Sequence, residues 1–263
     1  MKSISYHHHI ILLVALISQV NAFVQVNVDD KPWLKYQSQG NKKAYVQQFE
    51  KYGMLYKTSV LSKHEFSDVV EELESLSLST VKETTSSVAK NRTGARIPSD
   101  SKIYSILSNE NGNFMKLINE LVSSNESVNG RMVISDIVPI EMRIYEQRGA
   151  SMEMHYDDVL FSPEQIEVVF TIENTSDCST LWEEKDGEKK IMKEVQTEKN
   201  SAIILFAGEK LGCRHAVSPL KQGKRVILKF VFVHENATFL EGADVHVKQF
   251  GEGKKNKNKN KKR

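Results

Sequence analysis

From residue 131 onward the chain is divided into strand-length runs, and no other feature limits its fold so much. Met132–Val138, Glu141–Tyr145, Ile166–Ile172, Ser179–Trp182, Lys190–Val195, Ala202–Phe206 and Arg225–Val233 are rich in apolar and β-branched residues and are separated by turn residues. Seven such runs predict a sandwich, barrel or jelly roll. Asp186-Gly187 lies between Trp182 and Ile191 as a two-residue hairpin signal, and the charges on either side of it keep that arm in water.

The half before residue 131 reads differently. Residues 23–53 are polar and give no clear pattern, and Tyr52–Leu61 is expected to be a short strand. Ser62 followed by Glu65 forms a capping box that opens a helix through about Leu78, with Phe66, Val69, Val70 and Leu73 at helical spacing. Asn113–Ser123 predicts a second helix with Phe114, Leu117, Ile118 and Leu121 inward. Between them Ser79–Ser101 lacks periodicity and is either a long loop or a pair of weak strands, placed as a substrate lid or as plain mobile surface. Helices first and strands after make the topology α+β. With 263 residues, 40% of them hydrophobic, there is material for one good core and flanking segments.

The flanks carry their own signals. Residues 254–263 hold seven of the 36 basic residues; without them and Lys2, 28 basic face 34 acidic residues, so a basic end is attached to an acidic body. Such a run reads as a solvated tail, with acidic polymers, nucleic acid or anionic membrane as the alternative contacts, and nothing else points to nucleic acid. At the other end Lys2, the apolar run Ile10–Ile17 and Val20-Asn21-Ala22 form the pattern of a secretory signal peptide over residues 1–22, too short for a membrane span. The expected address is the secretory pathway, in the endoplasmic reticulum lumen or outside the cell. Phe23 after the cut also resembles the two-part plastid leaders of algae. Sequons at Asn91, Asn125, Asn174 and Asn236 accord with that route. The two cysteines, Cys178 and Cys213, are either buried free thiols or one disulfide.

The chemistry lies in the β half. His155 and Asp157 stand two apart on an extended segment, His215 follows 58 residues after Asp157, and Arg225 ten after His215. Two imidazoles and one carboxylate on one face of an iron leave positions open for activating O₂. A guanidinium nearby is the planar, two-toothed partner that a dicarboxylic cosubstrate needs. His64, His234 and His246 have no partners at ligand spacing, and His7–His9 belong to the leader.

These residues resemble the Fe(II)/2-oxoglutarate dioxygenase superfamily, and residues 137–234 look most like its prolyl 4-hydroxylase branch. Tyr145 in Arg143-Ile144-Tyr145 takes the place of that branch's cosubstrate-pocket tyrosine. Asp177-Cys178-Ser179-Thr180-Leu181-Trp182 resembles its Gly-Gly-x-Thr-x-Phe strand but lacks both glycines, and His215-Ala216-Val217 through Arg225 matches its distal His and terminal basic residue. Collagen-type members carry Lys where this chain has Arg225. The resemblance implies a double-stranded β-helix, or jelly roll, with supporting N-terminal helices. The expected dioxygenase domain spans 54–240 and has its catalytic core at 137–234; a basic tail over 241–263 follows. It further implies iron on His155, Asp157 and His215, and 2-oxoglutarate held by Arg225 with help from Thr180 or Tyr145. O₂ would be the oxidant and ascorbate an accessory reductant. The substrate would be a protein or small molecule, with peptidyl-proline by analogy. Asp158 and Arg143 are expected in supporting roles. The competing assignments are a zinc hydrolase, disfavoured because no glutamate neighbours a ligand in an HExxH arrangement, and a non-catalytic jelly roll that binds peptide or glycan.

Overall fold

The computed structural model describes residues 42–83, 86–123, 130–186 and 189–247. The leader, the plastid-type Phe23 junction, most of the 23–53 segment, the Asn125 sequon and the basic run lie outside the described residues. In chain order the elements are α1 (Lys42–Tyr52), β1 (Met54–Thr58), α2 (Lys63–Ser75), β2 (Val81–Lys82), β3 (Ala89–Lys90), β4 (Thr93–Arg96), α3 (Lys102–Leu107), α4 (Asn113–Val122), β5 (Met132–Ile134) and β6 (Glu141–Tyr145). They continue as β7 (Ser151–His155), β8 (Phe161–Ser162), β9 (Ile166–Asn174), β10 (Thr180–Asp186), β11 (Lys189–Val195) and β12 (Ser201–Phe206). The last are α5 (Gly208–Leu211), β13 (His215–Val217), β14 (Arg225–His234), β15 (Thr238–Phe239) and α6 (Asp244–Val247).

Apart from the two-stranded pair of β8 and β15, the strands form two facing antiparallel sheets, as the α+β jelly-roll expectation required. The larger runs β1-β12-β9-β14-β6-β4-β2, with β5 also on β14, and the smaller runs β11-β10-β13-β7-β3. Side chains alternate across a strand, so each strand of the large sheet serves two layers. On β14, Val226, Leu228, Phe230 and Phe232 pack with the helices in the main core, while Ile227 and Val231 belong to clusters on the other face. Phe114 of α4 meets Phe170, Phe230 and Phe232 at ring-centroid distances of 5.6, 5.4 and 6.1 Å, edge-on to the first two and stacked on the third. That contact is why a chain with apolar residues at 114, 117, 118 and 121 lays a helix here. The second face of β14 and its neighbours lines the barrel interior.

Some expectations shift. Ser62 and Glu65 form both hydrogen bonds of the capping box, at 3.2 and 2.8 Å, but α2 ends at Ser75 and not near Leu78. The strand predicted over Tyr52–Leu61 is confined to Met54–Thr58, because α1 occupies the stretch up to Tyr52, buries Phe49 fully and ends at Gly53. Gly53 sits at φ +66°, its N–H donates to Phe49 O at 2.8 Å, and a Cβ there would fall 1.9 Å from Leu211 O. Only glycine fits that turn. The Ser79–Ser101 stretch contains the short strands β2, β3 and β4. β10 runs through Asp186, which pairs with Lys189 of β11, so the two strands form the expected hairpin, and Gly187 of its turn signal lies outside the described residues. The segment expected to be tail from 241 still contains α6, and Arg96 Nη2 donates to Val247 O at 3.4 Å. Cys178 and Cys213 are both buried free thiols; burial pushes Cys213 up to about 12, with Asp157 adding to the effect. Among the described residues, no helix is long and apolar enough to cross a membrane.

Candidate active site

His155 closes β7 and His215 opens β13, and the two are opposite each other in the antiparallel pair. Between them the ladder slips: Val217 faces Met152, so two steps on β13 match three on β7. This β-bulge changes the alternation, and Met152 and His155 both line the same cavity of about 240 Å³. Asp157 follows just after β7 and lines that cavity too. Ligand atoms of His155, Asp157 and His215 all lie within 4.8 Å of one another. His155 Nε2 is 3.6 Å from Asp157 Oδ1, His215 Nε2 is 3.6 Å from Oδ2, and the imidazole centroids are 4.4 Å apart.

The proton positions follow from the partners. His155 Nδ1 lies 2.8 Å from Glu153 O, and His215 Nδ1 lies 3.3 Å from Cys213 O. A carbonyl only accepts, so each Nδ1 carries the proton and each Nε2 keeps its lone pair toward Asp157. His215 is 3% exposed, and its Nε2 is buried with no hydrogen-bond partner. Burial pushes the His215 pKa down to about 4, opposed by Asp157, so the ring is neutral near pH 7. Burial alone would raise the Asp157 carboxyl, but the Lys229 ammonium beside it outweighs this and holds it well below the usual carboxylate range. Two imidazole Nε2 atoms and one ionised carboxylate, with the His215 nitrogen buried and unfilled, fit a divalent transition metal.

A second feature lies along β14. Arg225 and Lys229 share the interior face and are about 13 Å apart at ~3.3 Å rise per residue. Lys229 Nζ is 2.9 Å from Asp157 Oδ2 and 2.9 Å from Glu167 Oε2. Arg225 is fully buried; its Nη2 donates to Thr180 Oγ1 at 3.0 Å, and its Nε and Nη1 have no partner. Its pKa is lowered by burial, and no carboxylate is among the groups that offset this. Tyr145 pairs with Arg225 across β6 and β14, with the guanidinium 5.8 Å from its ring centroid. A buried guanidinium with two unfilled donors is a receptor for an anion.

The structure thus brings His155, Asp157 and His215 to one point, and Arg225, Thr180 and Tyr145 to another within the same barrel. Arg143 donates to Glu141 at 2.8 Å, and Asp158 supplies a backbone carbonyl to Gln165. Lys229, Glu167, Glu83 and Arg92 were not singled out from sequence. Lys229 carried a usable signal: it is the one charge between Val226 and Val233 and shares the parity of Arg225.

No family model matches the sequence, and no curated protein matches it. Solved structures do align. An oxidoreductase of the 2OG-Fe(II) oxygenase family from Burkholderia pseudomallei superposes with a TM-score of 0.59 at 12% identity, over 76% of this chain and 95% of that one. A Pseudomonas putida prolyl-4-hydroxylase gives 0.50 at 12% identity, over 74% of this chain and 100% of that one. The nogalamycin-biosynthesis epimerase SnoN, in complex with Fe³⁺, alpha-ketoglutarate and nogalamycin RO, gives 0.55 at 10% identity, over 75% and 85%. At such identities the likeness is one of fold: the chain has the double-stranded β-helix of the 2-oxoglutarate and iron oxygenases, prolyl hydroxylases among them.

Proposed function

We propose that this protein is an Fe(II)- and 2-oxoglutarate-dependent oxygenase that hydroxylates an organic substrate. The observation that carries this is the pairing of two unfilled receptors in one barrel: the buried His215 Nε2 beside Asp157 and His155, and the buried Arg225 with two free donors. His155, Asp157 and His215 would hold the metal. Arg225, assisted by Thr180 and Tyr145, would take the distal carboxylate of 2-oxoglutarate. When bound, iron supplies O₂ activation coupled to oxidative decarboxylation, so that substrate C–H, O₂ and 2-oxoglutarate become C–OH, CO₂ and succinate.

The protein's own part is orientation. Glu153 O and Cys213 O fix both imidazole tautomers, and Lys229 keeps the Asp157 carboxylate ionised and still. Met152, Leu160 and Val231 line the cavity beside the triad and limit water there. Peptidyl-proline is the first substrate class to test, supported by the fold shared with the P. putida enzyme. Ascorbate as accessory reductant rests on the resemblance alone.

The test is anaerobic binding of Fe(II) and 2-oxoglutarate to the purified chain, then O₂ addition and quantification of succinate in the presence of proline-rich peptides. Iron-dependent succinate is expected. His155→Ala or Asp157→Ala should abolish it while the fold persists; full turnover in either variant would remove the triad from the mechanism.

A further inference from the structure

The segment that connects the helices to the barrel places a second guanidinium beside the cosubstrate pocket. Arg92 stands where the chain crosses from β3, in the small sheet, to β4, in the large one, and is 2% exposed. Glu83 grips it in two places, accepting from Nε at 2.6 Å and from Nη2 at 2.7 Å, with both side chains nearly free of solvent. That fork fixes the guanidinium plane and points Nη1 at the Tyr145 hydroxyl, 2.9 Å away. The Tyr145 ring thus lies near both guanidiniums, 5.6 Å from Arg92 and 5.8 Å from Arg225.

A phenol oxygen accepts through its lone pairs and has one proton to give. With Arg92 donating into the oxygen, that proton must point elsewhere, and among the described residues no acceptor takes it. We propose that Arg92, locked by Glu83, is a positioning residue that makes the Tyr145 hydroxyl a dedicated donor to the distal carboxylate of the cosubstrate. Glu83 also cancels the Arg92 charge, so the pocket end presents the single uncompensated cation of Arg225, matched to one carboxylate. The Ser/Thr-rich stretch before the barrel is therefore part of cosubstrate selection. This rests on the oxygenase function proposed above.

The test is calorimetric binding of 2-oxoglutarate and of 2-oxopentanoate, which has a methyl group in place of the distal carboxylate, to the full chain loaded with Mn(II) without O₂. The wild-type chain should prefer 2-oxoglutarate. Glu83→Gln with Arg92→Gln, made together so that no buried carboxylate is left alone, should reduce that preference roughly ten- to hundredfold, the loss of one hydrogen bond to a charged group. Tyr145→Phe should reduce it equally, and combining all three changes should add little, whereas Arg92→Lys should restore part of it. Equal weakening of both ligands in the Arg92 variants, with Tyr145→Phe selective, would overturn the positioning role alone. A wild-type chain that binds Mn(II) but does not distinguish the two acids would overturn the oxygenase assignment and this proposal with it.

Discussion

His215 is the residue whose chemistry depends most on burial. Its folded pKa of about 4 lies below the usual value near 6.5, so the unfolded chain takes up a proton first as the pH falls. The contribution is complete above pH 6.5, declines through the window from 6.5 to about 4, and amounts to about 3 kcal/mol. Asp157, held below its usual range, adds to the same trend at lower pH. Urea melts of the metal-free protein at stepped pH, alongside an NMR titration of the imidazoles, check this. A His215 ring that titrates near 6.5 would contradict the buried, unfilled site. Arg225 tests the opposite balance. As a buried cation without a carboxylate, it opposes folding until an anion arrives. Arg225→Met should raise the stability of the ligand-free chain by about 1–3 kcal/mol while abolishing 2-oxoglutarate binding. Denaturation and calorimetry on one preparation measure both effects.

β14 shows what a sequence discloses about a strand and what it withholds. Ten consecutive buried residues read plainly as a strand in a covered sheet, and Arg225 at its start stands out in the sequence by its distance to His215. The two faces were not legible: Val226, Leu228, Phe230 and Phe232 meet helices, while Arg225 and Lys229 face the barrel interior, and an apolar run hides that division. The bulge between β7 and β13 was equally silent, since one extra residue in a ladder leaves no mark on composition. α1 was missed because its Tyr45, Val46 and Phe49 stripe is diluted by lysine and glutamine. Phe114 ties α4 to the outer face of the large sheet, so Phe114→Ala should lower stability by about 3–5 kcal/mol. Its 2-oxoglutarate affinity should be unchanged while the protein remains folded. Chemical denaturation gives the first value and calorimetry the second; a selective loss of affinity would mean that the outer layer governs the inner one.

Across the whole barrel the few buried charges are paired with one exception among the described residues. Glu83 pairs with Arg92, Glu141 with Arg143, and Asp157 and Glu167 share Lys229, which among the described residues leaves Arg225 as the buried cation without an acid. Adding a divalent metal and a dianionic cosubstrate leaves that total unchanged. Chelator-treated protein should therefore stay folded and resist proteolysis, with metal and cosubstrate adding protection as native-state ligands do. Lys229→Met, which leaves two buried carboxylates facing each other, should lose about 3–5 kcal/mol without metal and regain part of it with metal. Proteolysis rates with and without chelator check both statements, and rapid cleavage of the metal-free wild-type chain would contradict them. The consequence of one lysine held 2.9 Å from two acids is a separation of lifetimes. The folded state then does not wait for the metal, although a bound metal would add to it, and a chain stripped of its ion would be idle and not lost.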